Sequence, residues 1–346
     1  MKVIKATALC LCIFLLAAEG QAQHKLLRKG LTTDGTIFFP RRTVLQDPLT
    51  DTDILNFALN LEYLEANFYS CAAFGKAIDQ DLWGDNGMDP MGCKQAELTS
   101  GALAYAKAMA EDEIAHVRLL RQTLGSDAVD QPEIDIGAAF GAAADAAVGS
   151  TLSPSFSPYA NDVSFFIGAF IFEDAGVTAY KGAAPLISNK GTPGVAAGVL
   201  AVEAYHGGAI RAKLIKASKQ TIFPYESQVA AIIAAVSNLR ASASGGDDDR
   251  GLIETSEQSQ EAFVVAPGDK NAVAFSRTPS QVLEIVHLGA EKGGFFPQGT
   301  NGSLSPEPLS PAPPTDSSDS SCKVEEWALA ILSIAVVAAN LPGLAI

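Results

Sequence analysis

The chain has 346 residues, 48% of them hydrophobic and 18% charged, enough for one large domain or two ordinary ones. That hydrophobic content excludes a disordered acidic chain. The net charge of −15, from 24 Lys and Arg against 39 Asp and Glu, argues against nucleic acid as a partner, because a phosphate backbone needs a basic face.

At the N-terminus Lys2 and Lys5 precede an apolar run from Ala6 to Ala18, and Gly20-Gln21-Ala22 supplies small residues for a cut after Ala22. Residues 1–22 therefore read as a secretory signal peptide. Residues 23–50 hold Lys25, Arg28, Lys29, Arg41 and Arg42 without periodicity and read as an irregular lead-in. From Asp51 the pattern is helical. Thr50-Asp51-Thr52-Asp53 offers capping residues, and a first helix is expected to about Phe74. Gly and Pro punctuate residues 75–93, and a second helix is expected from about Lys94 to Leu124, stopped by Gly125.

Ser126 to Ala160 carries Pro132, Pro154 and Pro158 around an Ala-rich piece, Ile136–Val148, and is too long for a turn between antiparallel neighbours. It suits a crossover. A third helix is expected over Asn161–Gly182, a fourth over Pro193–Ser218 and a fifth over Pro224–Ala243, where Gly245-Gly246 and Asp247–Asp249 end it. This order is the connectivity of an all-α, ferritin-like four-helix bundle over residues 51–245, with a long crossover between helices 2 and 3 and an added fifth helix. Residues 246–302 read as a small C-terminal appendage with one short helix, Thr278 to about Leu288.

Residues 303–321 are rich in Pro and Ser and read as a stalk, and Asn301-Gly302-Ser303 is a glycosylation sequon suited to an exposed linker. Residues 322–346 end in an apolar tail, Trp327–Ile346. Small residues, a polar spacer and a terminal greasy segment match a glycolipid (GPI) anchor signal, which would tether a secreted protein to the cell surface and be its one link to a membrane. A retained membrane-spanning tail is the competing reading, but Asn340, Pro342 and Gly343 leave a run short of the roughly 20 apolar residues a span needs. Cys10 and Cys12 would leave with the signal and Cys322 with the tail. Cys71 and Cys93 remain, and in an oxidising compartment one disulfide is expected, with two separate thiols as the alternative.

Glu113-x-x-His116 lies in the second helix and Glu203-x-x-His206 in the fourth. Residues three apart are about 60° apart around a helix, so each pair points to one side. The first and third helices each set a glutamate in an apolar face: Leu55, Ala58, Ala66 and Tyr69 flank Glu62, and Phe166, Ala169, Val177 and Tyr180 flank Glu173. A buried, unpaired carboxylate costs several kcal/mol, so four of them need cations between them. Four carboxylates and two neutral imidazoles balance two divalent ions. Mixed oxygen and nitrogen donors suit iron or manganese, with zinc next and copper least.

Glu62-x6-Tyr69 and Glu173-x6-Tyr180 share one spacing, so helices 1–2 repeat in helices 3–4. The two tyrosines are either core residues or hydrogen-bond partners of the metal glutamates. Glu65, about 60° from Glu62, reads as a flanking residue with an extra ligand as the alternative. Glu284-x-x-His287 is a third copy of the pair, without a companion Glu-x6-Tyr segment, and reads as structural or surface. Arg118, Arg121 and Arg211 lie off the ligand stripe and read as surface pairs.

Leu61 to Tyr69, the Glu113-x-x-His116 block, and Ala274-Phe275-Ser276-Arg277-Thr278-Pro279 through Gly293-Gly294-Phe295-Phe296-Pro297 to Asn301-Gly302 together resemble the plant and algal desiccation-related proteins with a ferritin-like domain. The resemblance covers about residues 45–302 and does not extend to the C-terminal tail. It implies a di-iron or di-manganese carboxylate site at Glu62, Glu113, His116, Glu173, Glu203 and His206, and a link to dehydration stress. The expectation is a secreted or tethered protein whose partners are metal ions and O2 or peroxide. The rival is a non-catalytic metal-binding or protective wall protein.

Overall fold

A computed structural model describes residues 49–189, 191–245, 249–255 and 261–306. The segment read as a signal peptide, nearly all of the expected lead-in, most of the expected stalk and the apolar tail lie outside the described residues.

The elements in chain order are helices α1 (Asp51–Phe74), α2 (Ser100–Leu124), α3 (Ala138–Val148), α4 (Asp162–Ala183) and α5 (Thr192–Lys216), hairpin β1 (Thr221–Ile222) and β2 (Ser227–Gln228), helix α6 (Val229–Ser244), hairpin β3 (Ile253–Thr255) and β4 (Glu261–Phe263), and helix α7 (Pro279–Val286). Helix α1 packs on α2, α4 on α5, and α1 on α4, and α3 lies in the connection from α2 to α4. This is the all-α ferritin-like arrangement expected from the helix order.

The helix ends follow local chemistry. Thr50 and Asp53 form a capping box: the Asp53 amide donates to Thr50 Oγ1 at 3.2 Å and the Thr50 amide to Asp53 Oδ2 at 2.8 Å. Gly75, at φ 71°, ends α1 by donating its amide to the Cys71 carbonyl. Helix α2 starts at Ser100 rather than near Lys94. Residues before it are non-helical and held by long-range bonds instead, with the Ala96 amide on the Ala72 carbonyl and the Glu97 amide on the Tyr159 carbonyl, and Thr99 is the cap. Helix α6 begins at Val229, not Pro224, because residues 221–228 form the first hairpin. Strands of two or three residues are too short to show alternation in sequence.

Helix α1 is buried along nearly its whole length, from Ile54 to Ala73. Its ligand-free side carries Asn56, Asn60 and Asn67, and these hold loops rather than face solvent. Asn56 bonds Asp127 and Val129, Asn67 bonds Gln131 and Ile78, and Asn60 bonds the backbone of Asn301 at both its amide and carbonyl. Helix α4 is likewise buried. Among the described residues, the segment Asp162–Leu186 is the one helical stretch long and apolar enough to cross a bilayer, and here it is enclosed by the protein.

The Gly-Gly-Phe-Phe motif supplies core. Phe295 packs on Phe140 and Phe172 with ring centroids 5.0 and 4.8 Å apart, and Phe140 packs on Phe68 of α1. Such pairs contribute about 0.5–1.5 kcal/mol each beyond area burial. At Gly182 the appendage comes so close that a Cβ would stand 1.9 Å from the Arg277 carbonyl oxygen. Cys71 at the end of α1 and Cys93 form a disulfide.

Candidate metal centre

The sextet named from sequence converges. Glu62 comes from α1, Glu113 and His116 from α2, Glu173 from α4, and Glu203 and His206 from α5; the four glutamates are at most 1% exposed and the two histidines 7%. His116 Nδ1 lies 3.2 Å from Glu62 Oε2, 3.0 Å from Glu113 Oε2 and 3.7 Å from Glu203 Oε1. His206 Nδ1 lies 3.0 Å from Glu113 Oε1 and 3.4 Å from Glu173 Oε1. Glu113 therefore sits between the halves, presenting one oxygen to each imidazole.

Both tyrosines bond metal-site glutamates, and each crosses to the other half. The Tyr69 hydroxyl on α1 donates to Glu173 Oε1 at 2.5 Å, and the Tyr180 hydroxyl on α4 donates to Glu62 Oε1. The exchange relates the halves by an approximate two-fold. Burial, reinforced by the carboxylates beside them, raises both phenols, so they remain protonated donors. Each bond occupies one carboxylate oxygen: Glu62 Oε1, with Oε2 turned to His116, and Glu173 Oε1, which also lies near His206 Nδ1.

Burial and mutual charge set the electrostatics of the pocket. Burial and then the charge of Glu113 push Glu62 up to about 8, and burial also raises Glu173 and, more strongly, Glu65 and Glu203. Burial would raise Glu113 too, but hydrogen bonds with His116 and His206 outweigh it and hold it at about 2. For the imidazoles burial works downward, yet the adjacent carboxylates lift His116 to about 10 and His206 to about 12. Protons thus stand in for cations. Even so, Glu173 Oε2, both oxygens of Glu203 and Glu65 Oε2 have no hydrogen-bond partner. Buried polar atoms are nearly always paired. Orphaned carboxylate oxygens on three residues facing one another are what a metal-binding pocket presents, and three overlapping sets have ligand atoms all within 4.8 Å of one another: Glu62, Glu113, His116 and Glu203; Glu113, Glu173 and His206; Glu65, Glu113, Glu173 and Glu203.

Other residues differ from their sequence reading. Arg211 is not a surface residue: it is 1% exposed and clasps Asp174, with Nε 3.1 Å from Oδ1 and Nη2 2.7 Å from Oδ2. Arg240 of α6 joins the same Asp174 to Asp249, and Arg277 reaches Asp249 and Thr178. This buried ladder ties α4, α5 and α6 to the appendage, directly behind Glu173. Arg121 also turns inward, donating to the Tyr63 hydroxyl at 2.5 Å, whereas Arg118 is exposed. Glu284 and His287 are buried in the appendage, apart from the metal-ligand sets, and His287 packs against Phe296. Asn301 is exposed but anchored: its side-chain amide donates to the Asp130 carbonyl at 2.8 Å.

Comparison with known proteins identifies the family. A family model described as a ferritin-like domain matches residues 50–216. The desiccation-related protein PCC13-62 of Craterostigma plantagineum is 34% identical over 265 residues, 74% of this chain and 84% of that protein. Ferritin-like catalase Nec2 of Nesocodon mauritianus is 30% identical over 264 residues, 73% of this chain and 84% of that protein. No solved structure matches. With the buried carboxylate and imidazole cluster carried on the matched helices, the chain belongs to the desiccation-related family of ferritin-like proteins.

Proposed function

We propose that the protein holds two divalent ions, iron or manganese, and uses them as a redox centre that removes peroxide or oxidises Fe(II) with O2 during dehydration stress. The observation that carries this reading is the set of orphaned, fully buried carboxylate oxygens around two imidazole Nδ1 atoms. Glu62 and His116 would serve one ion, Glu173 and His206 the other, and Glu113 and Glu203 both. The four carboxylates match the charge of two divalent ions, and oxygen with imidazole donors suits iron and manganese. When bound, such a pair supplies two-electron redox capacity.

The chain's own residues do the rest. Tyr69 and Tyr180 each fix one oxygen, of Glu173 and Glu62 respectively, and keep their protons on the phenols. The ligand side chains are themselves enclosed, the four glutamates being at most 1% exposed, which keeps bulk water from the centre. The name of one relative, ferritin-like catalase, favours peroxide, for which the balanced reaction is two H2O2 giving O2 and two H2O. The signal peptide and tail add a location: we place the protein outside the cell, tethered by a glycolipid anchor.

The test is to load the purified protein with Mn(II) or Fe(II), add hydrogen peroxide, and record O2 evolution, with aerobic Fe(II) oxidation followed separately. Activity lost in a Glu113→Ala/His206→Ala variant supports the proposal. Wild type no faster than that variant in both assays contradicts it. For location, release from membranes by a phospholipase specific for glycolipid anchors, abolished by deleting Trp327–Ile346, is the expected result.

A further inference from the structure

Two carboxylates beside the cluster, Glu65 and Asp112, belong to the first half of the repeat and have no acidic counterpart in the second. Counting from the paired glutamates, Glu65 follows Glu62 by three residues where Gly176 follows Glu173, and Asp112 precedes Glu113 where Val202 precedes Glu203. Glu65 is 5% exposed, its Oε2 has no hydrogen-bond partner, and its carboxylate groups with Glu113, Glu173 and Glu203. Gly176 makes that placement feasible: a Cβ there would stand 2.4 Å from Glu203 Oε2 and 3.5 Å from Glu65 Oε1. Where one half carries a carboxylate, the other therefore yields its space. Asp112 Oδ2 lies 3.1 Å from His206 Nε2, on the ring edge opposite the Nδ1 that faces the centre. A carboxylate in that position orients an imidazole and raises its basicity as a ligand, and Val202 offers His116 no oxygen.

We propose that Glu65 is a seventh protein ligand, serving the ion held by Glu173 and His206, and that this makes the two ion positions unequal. The inference rests on the metal-centre reading above. With five carboxylates the ligand charge is matched by one trivalent and one divalent ion, so the Glu65 side is the one suited to the higher charge.

The test is anaerobic titration of metal-free protein with Co(II), followed calorimetrically and by its visible absorption. Wild type is expected to bind in two steps at least tenfold apart. Glu65→Gln is expected to weaken the tighter step at least tenfold, within the range that metal-supporting groups command, and to leave the weaker step in place. Asp112→Asn keeps the size of a half-exposed side chain, and it should weaken the same step, so the inequality of the two positions stays testable if Glu65→Gln does not fold. Two equal steps in wild type, or variants whose steps match wild type, would overturn the inference while the metal centre stands. Failure of wild type to bind Co(II) at all would bring down the metal-centre reading and this inference together.

Discussion

Removing the hydroxyl of Tyr69 frees Glu173 Oε1 without emptying the space its ring fills. Tyr69→Phe is therefore expected to lower metal affinity about 10–100-fold while costing only about 0.5–1.5 kcal/mol of stability, a split read by metal titration beside thermal melting. Equal affinity in the two proteins would reduce the tyrosine to packing. Titration gives a second residue-scale prediction, for the metal-free protein. His116 is raised to about 10 from 6.5, so its contribution to stability is complete below pH 6.5 and disappears as pH rises through 10; Glu62, raised to about 8 from 4.5, loses its contribution over the lower window from 4.5 to 8. Glu113, held at about 2, acts oppositely and only matters when pH falls below 4.5. Melting temperature should thus decline from pH 6.5 to 9 without metal and be restored by it, since cations replace the protons. A melting temperature independent of pH would contradict this assignment. The clustering of the six candidate residues was legible because spacing and apolar flanks agree on four separate helices. Glu65 was not, since an offset of about 60° on a helix fits a flanking residue as well as a ligand.

Elements are joined here by charge that no sequence period announces. Asp174, Arg211, Arg240, Asp249 and Arg277 come from three helices and two loops, so the pairing that buries them exists only in the assembled fold. Arg211 looked like a surface residue because it lies off the ligand stripe of α5; the appendage covers it, with the Gly251 and Val264 carbonyls accepting from its Nη1. Asp249→Ala leaves the Arg240 and Arg277 guanidiniums without that shared carboxylate. The expected loss is about 3–5 kcal/mol in denaturant unfolding, as for other buried pairs broken on one side. A loss under 1 kcal/mol would show that the ladder is not a tie. The disulfide makes a smaller, separate tie at the end of α1. Its 22-residue separation predicts a loss of about 3 kcal/mol in a Cys71→Ser/Cys93→Ser variant, again by denaturant unfolding.

At the scale of the molecule, helix order and loop length sufficed for the bundle, because five long periodic stretches with one long gap admit few arrangements. They did not reveal that the segment around Phe295 and Phe296 completes the core, or that the polar back of α1 is sealed by Asn301 and its neighbours. Both are long-range contacts, and they make the appendage part of the bundle's support rather than an attachment to it. The account turns on whether this supported pocket holds a metal pair. The most direct measurement is metal content per chain after loading with Mn(II) or Fe(II) and desalting, for wild type and the Glu113→Ala/His206→Ala variant. Two ions per wild-type chain and fewer than one in the variant are predicted; less than one ion in wild type, or equal content in the two proteins, would contradict the account.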